Sequence, residues 1–157
     1  MLTLKYLQKL HLSMEDSWNF FSSPENLKII TPQHLAFEMT SDYENRKMYS
    51  GQIIAYTIRP IFNLPLEWVT EITQVQEPHY FIDEQRFGPY KFWHHEHRFK
   101  PIPNGVEAVD IIHYKMPFGV LGKALNFLMV KKDLEAIFSY RRAKLEELFG
   151  PYVELEI

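Results

Sequence analysis

The stretch FGPYKFWHHEHRF, Phe87 to Phe99, holds three of the chain's seven histidines within four positions, set among aromatic residues. Gly88-Pro89 is a turn signal, and the residues that follow contain neither glycine nor proline as far as Lys100, so Tyr90–Lys100 reads as a β-strand. Alternation along a strand sends Trp93, His95, His97 and Phe99 to one face and Phe92, His94, Glu96 and Arg98 to the other. The first set is flanked by aromatics and faces the core or a cavity. The second is polar and faces solvent, with Arg98 beside Glu96. HHEH therefore splits into two pairs that face apart, and only His95 and His97 share an interior surface.

The same punctuation continues on both sides. Glu77-Pro78 turns the chain into a strand at Tyr80–Phe87, and PIPNG turns it into another at Val106–Met116. Upstream, Tyr49–Arg59 and Glu67–Gln76 flank the proline-bounded loop PIFNLP. Phe37–Ser41 is a further short strand before the polar turn SDYENRK. Short turns between consecutive strands predict an antiparallel meander. Leu2–Leu12 alternates as a first strand, and Ser13 lies three residues before Asp16, an N-cap signal for a helix carrying Trp18, Phe20 and Phe21. SPENLKIITP predicts a second short helix, with Ser23 as cap and Pro24 at its first position.

Gly119–Phe149 reads as one long helix. In its second half Leu134, Ile137, Phe138, Leu145 and Leu148 share a face, opposite Lys132, Glu135, Arg142 and Glu146. Arg141 falls on or near the apolar face, where a salt bridge to a sheet carboxylate is the expected role. The first half, VLGKALNFLMV, is apolar almost all round, which suits a helix end buried on two sides or lining a cavity. The order of elements gives an α+β class: a curved antiparallel sheet around a long C-terminal helix, with two short helices after the first strand.

Bulk properties narrow the function classes. The 157 residues suit a single domain spanning 1–157. A net charge of −3 offers no attraction to phosphate backbones, so nucleic acid is not an expected partner. The absence of cysteine excludes disulfides, thiol nucleophiles and cysteine-ligated metal centres. Lysines interrupt the N-terminal segment and no run of about eighteen apolar residues occurs, so a cytoplasmic location without stable membrane insertion is expected. Aromatics, at 15 % of residues, are numerous enough to fill a thick core or line a cavity.

SPENLKIITP, WVTEI at Trp68–Ile72, FIDEQRFGPYKFWHHEHRF, the VDIIHYKMP strand and IFSYR in the last helix together resemble the SRPBCC, or START-like, superfamily and its helix-grip fold. The resemblance covers nearly the whole chain, and it is similar in particular to the bacterial polyketide cyclase/dehydrase-like branch. It implies a deep, largely apolar pocket between sheet and C-terminal helix, for a lipid-like, polyketide or other aromatic or isoprenoid-like molecule. It implies no single reaction, because the fold hosts carriers, sensors and cyclases alike.

Folding the neighbouring strands against the opening stretch places Asp83 opposite His95 and Gln85 near Trp93. The PIPNG turn brings Asp110 opposite His95 from the other side, with Ile112 near Trp93. A slip of one residue would reverse the face. Asp83, Gln85, His95, His97, Asp110 and Tyr114 then form a polar end, with Tyr56, Trp68 and Thr70 looking into the same space. Apolar walls are expected from Trp68, Phe81, Trp93, Leu121, Leu125 and Leu128. Three chemistries fit this set. The His-x-His pair with Asp83 or Asp110 could ligate a metal. A histidine beside carboxylates could move protons, making a cyclase or dehydratase that uses His95 with Asp83 or Asp110. The preferred reading is a hydrogen-bonded floor orienting the head group of a hydrophobic ligand, with no catalytic residue assigned and neither metal nor cofactor required.

Overall fold

The computed structural model describes residues 1–41, 47–59, 64–119 and 130–154. Its strands are β1 (Leu2–Leu10), β2 (Glu38–Met39), β3 (Gln52–Ile58), β4 (Leu66–Gln76), β5 (Tyr80–Phe87), β6 (Phe92–Ile102) and β7 (Gly105–Lys115), and its helices are α1 (Met14–Phe21) and α2 (Lys131–Phe149). All seven strands form one antiparallel sheet in the order β1-β7-β6-β5-β4-β3-β2. From β2 to β7 this is the expected meander. The first strand closes back onto β7, its nine residues paired without interruption from Leu2↔Tyr114 to Leu10↔Val106.

Alternation decides what the sheet buries. On β6, Trp93, His95, His97 and Phe99 are buried while Phe92, Arg98 and Lys100 are exposed. On β7, Val106, Ala108, Ile112 and Tyr114 are buried. Leu134, Phe138, Arg141 and Leu145 of α2 pack against the sheet, with Phe138 stacked flat on Tyr6 at 3.9 Å. Leu148, expected on the same face, is 42 % exposed. It lies at the helix end, where the chain leaves the sheet through Gly150 at φ 79°. Residues 120–129 of the expected long helix lie outside the described residues.

The early segment closes one end of the sheet. Ser13 caps α1 by accepting from the Asp16 N–H at 3.0 Å. Trp18, 1 % exposed, then meets Phe81 and Phe99 edge to face at about 6 Å. The second expected helix is a 3₁₀ segment, Pro24–Lys28, and the Ser23 side chain does not cap it. Its hydroxyl donates instead to the Asn19 carbonyl at the end of α1. A second 3₁₀ turn, Gln33–Leu35, follows.

The β6–β7 hairpin is tighter than PIPNG suggests. Both strands run on until Ile102 pairs with Gly105, leaving Pro103-Asn104 as the turn, with Asn104 at φ 59°. Asp110 therefore stands opposite His97 and Ile112 opposite His95. This is a shift of two residues from the expected register, and an even shift preserves the face. Gly105 is required where the hairpin meets β1, because a Cβ there would collide with the Leu10 backbone carbonyl. Gly105→Ala should cost about 1–3 kcal/mol through forced backbone displacement, read as a lower urea midpoint with the denaturant slope unchanged.

Candidate functional site

Three adjacent strands contribute one charged cluster to the concave face. Asp83 of β5 pairs across the ladder with His95 of β6, and His97 of β6 with Asp110 of β7. Because side chains two apart on a strand share a face, all four converge. His97 Nε2 lies 2.8 Å from Asp83 Oδ2, and His95 Nε2 lies 2.8 Å from Asp110 Oδ1. The remaining ring nitrogens complete a closed circuit: His97 Nδ1 is 3.0 Å from Asp110 Oδ1, and His95 Nδ1 is 3.4 Å from Asp83 Oδ2. The two imidazoles face each other with centroids 3.8 Å apart. Arg141 reaches down from α2, and its Nη1 donates to Asp110 Oδ1 at 3.3 Å. Trp93 Nε1 donates to Asp83 Oδ1 at 3.3 Å.

The distances sort the protons. His97 holds both nitrogens within 3.0 Å of a carboxylate oxygen, so the neutral ring would press a lone pair against an anion. These contacts favour the charged form of His97. His95 sits closer to Asp110 through Nε2, at 2.8 Å, than to Asp83 through Nδ1, at 3.4 Å. Burial pulls both rings toward neutrality. For His95 that effect and the positive His97 prevail, and its pKa is lowered. For His97 burial is outweighed by hydrogen bonding and charge from Asp110 and Asp83, and its pKa is raised. Burial would raise both carboxylates, but the imidazoles reverse the sign at Asp83. The imidazoles together with Arg141 hold Asp110 well below its ordinary value. With His97 in its charged form, two carboxylates balance one guanidinium and one imidazolium.

Above the cluster lies a cavity of about 400 Å³, bounded by the sheet, α2 and the 3₁₀ segments. Of the residues singled out in the sequence, Tyr56, Trp68, Thr70, Phe81, Asp83, Trp93, His95 and His97 line it, and so does Arg141, which also makes the expected salt bridge to a sheet carboxylate, Asp110. The cluster forms one end of a wall that is otherwise mostly apolar. Other expected residues stand elsewhere. Gln85 does not line the cavity, because its side chain clamps the β5–β6 turn: Nε2 donates to the Tyr90 carbonyl at 2.7 Å, and the Tyr90 N–H donates to Oε1 at 3.2 Å. Tyr114, 1 % exposed, is core beneath Tyr90 and Trp93. Asp110 lies behind the histidines and lines a smaller cavity of about 170 Å³ with Tyr6, Arg141 and Arg142. Leu121, Leu125 and Leu128 lie outside the described residues.

Sequence reasoning missed the wall contributed by Ile30, Leu35 and Phe37. These residues sit in and around 3₁₀ turns, whose apolar spacing matches neither helix nor strand. Their proline boundaries are the signal that could have marked them. On the outer face, His94 pairs with Glu84 at 2.8 Å and Arg98 with Glu96 at 2.6 Å, apart from the cluster.

Asp83, His95 and His97 bring ligand-type atoms within 4.8 Å of one another, near enough to surround one ion. In the arrangement seen, their nitrogens are instead turned toward carboxylates, and a guanidinium stands beside the shared oxygen.

Comparisons with solved structures bear on the architecture. One protein from Chromobacterium violaceum superposes with a TM-score of 0.72 at 9 % identity, over 96 % of this chain and 98 % of that one. Another, from Mycobacterium smegmatis, gives 0.69 at 18 % identity over 94 % and 90 %. A START superfamily protein, also from M. smegmatis, gives 0.65 at 13 % identity over 93 % and 98 %. The fold is START-like. No protein-family model and no curated protein matches the chain. At these identities the likeness concerns the START-like fold alone. Among the described residues no helix is long and apolar enough to cross a membrane.

The charge balance sets the response to acid. A carboxylate held low adds stability above its ordinary pKa of 3.8 and loses it as pH falls through the folded value. His95, held below 6.5, is neutral in both states at higher pH and destabilises the fold as pH falls below that value. His97, held above 6.5, works in the opposite sense: its contribution is present below that value and lost as pH rises through the folded one. Asp110→Asn removes the anion that two histidines and Arg141 share, leaving buried positive charge uncompensated. It should cost about 3–5 kcal/mol near neutrality and flatten the acid side of the stability profile, measured by urea unfolding across pH.

Proposed function

We propose that this protein binds a hydrophobic small molecule, of lipid-like, polyketide-like or other aromatic or isoprenoid character, in the cavity between the curved sheet and α2. The observation that carries the reading is a cavity of about 400 Å³ with Trp68, Trp93, Ile54, Ile72 and Phe138 on its mostly apolar walls and the buried Asp83, His95, His97 and Arg141 among its polar lining. That combination suits a ligand whose body is apolar and whose one functional group is oriented by hydrogen bonds. The START-like fold supports it, since the same sheet-and-helix grip frames the space.

The competing reading is a cyclase or dehydratase that uses His95 with Asp83 or Asp110. It needs a basic nitrogen presented to substrate, whereas both nitrogens of His95 are turned toward carboxylates, at 2.8 and 3.4 Å. A circuit closed on itself supports orientation of a ligand more than proton transfer to carbon.

Ile137 lines the cavity and is only partly buried, so a larger side chain there can enter the lumen without disrupting the core. Small molecules extracted from natively purified protein should be amphiphilic when identified by mass spectrometry. Titration of 1-decanol should change the fluorescence of Trp68 and Trp93, and Ile137→Trp should weaken that binding by about tenfold or more at unchanged melting temperature. Equal affinity in the filled variant would place the ligand elsewhere.

A further inference from the structure

Asp83, His95 and His97 border the large cavity, while Asp110 stands behind them. That division sorts the ring nitrogens. One nitrogen of each imidazole approaches Asp83 Oδ2, His97 Nε2 at 2.8 Å and His95 Nδ1 at 3.4 Å. The other nitrogen of each approaches Asp110 Oδ1, at 2.8 Å from His95 and 3.0 Å from His97. The three residues that border the cavity thus bring two nitrogens and one carboxylate oxygen together. Ligand atoms about 2.0–2.1 Å from a tetrahedral zinc ion stand roughly 3.3 Å from one another. The two distances to Asp83 Oδ2 bracket that spacing.

The groups around this trio are those a bound ion needs. A metal-ligating histidine passes its other ring N–H to a carboxylate or carbonyl, which fixes the ring and strengthens it as a ligand. Asp110 meets both rings in that position, and is itself held by Arg141 Nη1 at 3.3 Å. Asp83 is steadied too, because Trp93 Nε1 donates to its Oδ1 at 3.3 Å and leaves Oδ2 for the ion. Among the described residues the Arg141 guanidinium pairs with Asp110 and with none of the three ligands. Imidazole nitrogens favour zinc and its neighbours over Mg²⁺ and Ca²⁺, which take oxygen. We propose that Asp83 Oδ2, His95 Nδ1 and His97 Nε2 bind one divalent transition-metal ion of the zinc class, with Asp110 as their shared outer carboxylate and a further coordination position open to the cavity.

The carboxylate contacts of the metal-free cluster are compatible with this role. Both rings bind an ion as neutral imidazoles, so the ion takes the place of a proton held between the histidines and Asp83. Exchanging one proton for a divalent ion adds one positive charge, which an anionic oxygen arriving through the cavity offsets. The outer face of β6 provides the natural control. There His94 stands 2.8 Å from Glu84 and 3.6 Å from Glu96, but it is a lone imidazole, and both carboxylates are already paired with Arg86 and Arg98. The ion site does not require a hydrophobic ligand to be present.

The test is calorimetric titration of the chelator-stripped full chain with Zn²⁺, and with Mg²⁺ for comparison. Zn²⁺ should bind one ion per chain and raise the melting temperature as its concentration increases, while Mg²⁺ does neither. His95→Gln and His97→Gln should abolish the one-to-one binding. Asp110→Asn, which touches only the outer nitrogens, should weaken it about 10–100-fold. His94→Gln should leave it unchanged. In the wild-type protein, which needs no variant to fold, Zn²⁺ should move the ¹⁵N resonances of His95 Nδ1 and His97 Nε2 and leave those of His94 in place. No binding of Zn²⁺, binding that survives in folded His95→Gln, binding lost in His94→Gln, or resonance changes confined to His94 would overturn the proposal. Binding of 1-decanol to the metal-free chain tests the hydrophobic-ligand reading separately.

Discussion

Everything at the centre of this protein follows from burying two carboxylates on the concave face of a sheet. Asp83 and Asp110 could not remain ionised there alone, since an unpaired buried charge costs several kcal/mol. They are stabilised by the two histidines of the strand between them and by one arginine from the helix above. Five side chains from four elements must therefore be placed together. The arrangement fixes the register of β5, β6 and β7 and holds α2 against the sheet at Arg141.

The apolar parts are organised around that cluster. On one side Trp18, Phe21, Phe81, Phe99, Val106 and Leu145 form a core that seals α1 against the sheet. On the other, Trp68, Trp93, Ile112, Tyr114, Leu134 and Phe138 form a second. Rings of the two cores touch the imidazoles directly: Phe81 stacks on His97 at 4.1 Å, and Trp93 and Phe138 meet His95 edge-on at about 6 Å. Low dielectric surroundings strengthen each hydrogen bond of the circuit and raise the cost of losing one. The cluster is thus both a structural keystone and, through Asp83, His95, His97 and Arg141, a polar part of the cavity lining.

This dual position explains why binding is a better reading than catalysis. Groups committed to neutralising one another resist giving up a proton to substrate.

The sequence by itself determined the element order, the α+β class and the face on which His95 and His97 lie. Each rests on a short-range rule: proline and glycine at turns, a two-residue period in strands, and a 3.6-residue period in the last helix. Even the misplaced β6–β7 register kept Asp110 on the correct face, because turn length changes position by steps while alternation sets the side. Only the tertiary structure decided that Asp110 sits between His97 and Arg141, that Gln85 is spent on the Tyr90 backbone, and that Ile30, Leu35 and Phe37 complete the wall. It also distinguished the two histidines, which alternation treats as equals. Proton placement depends on differences of a few tenths of an ångström between strands far apart in sequence, and no local pattern encodes those.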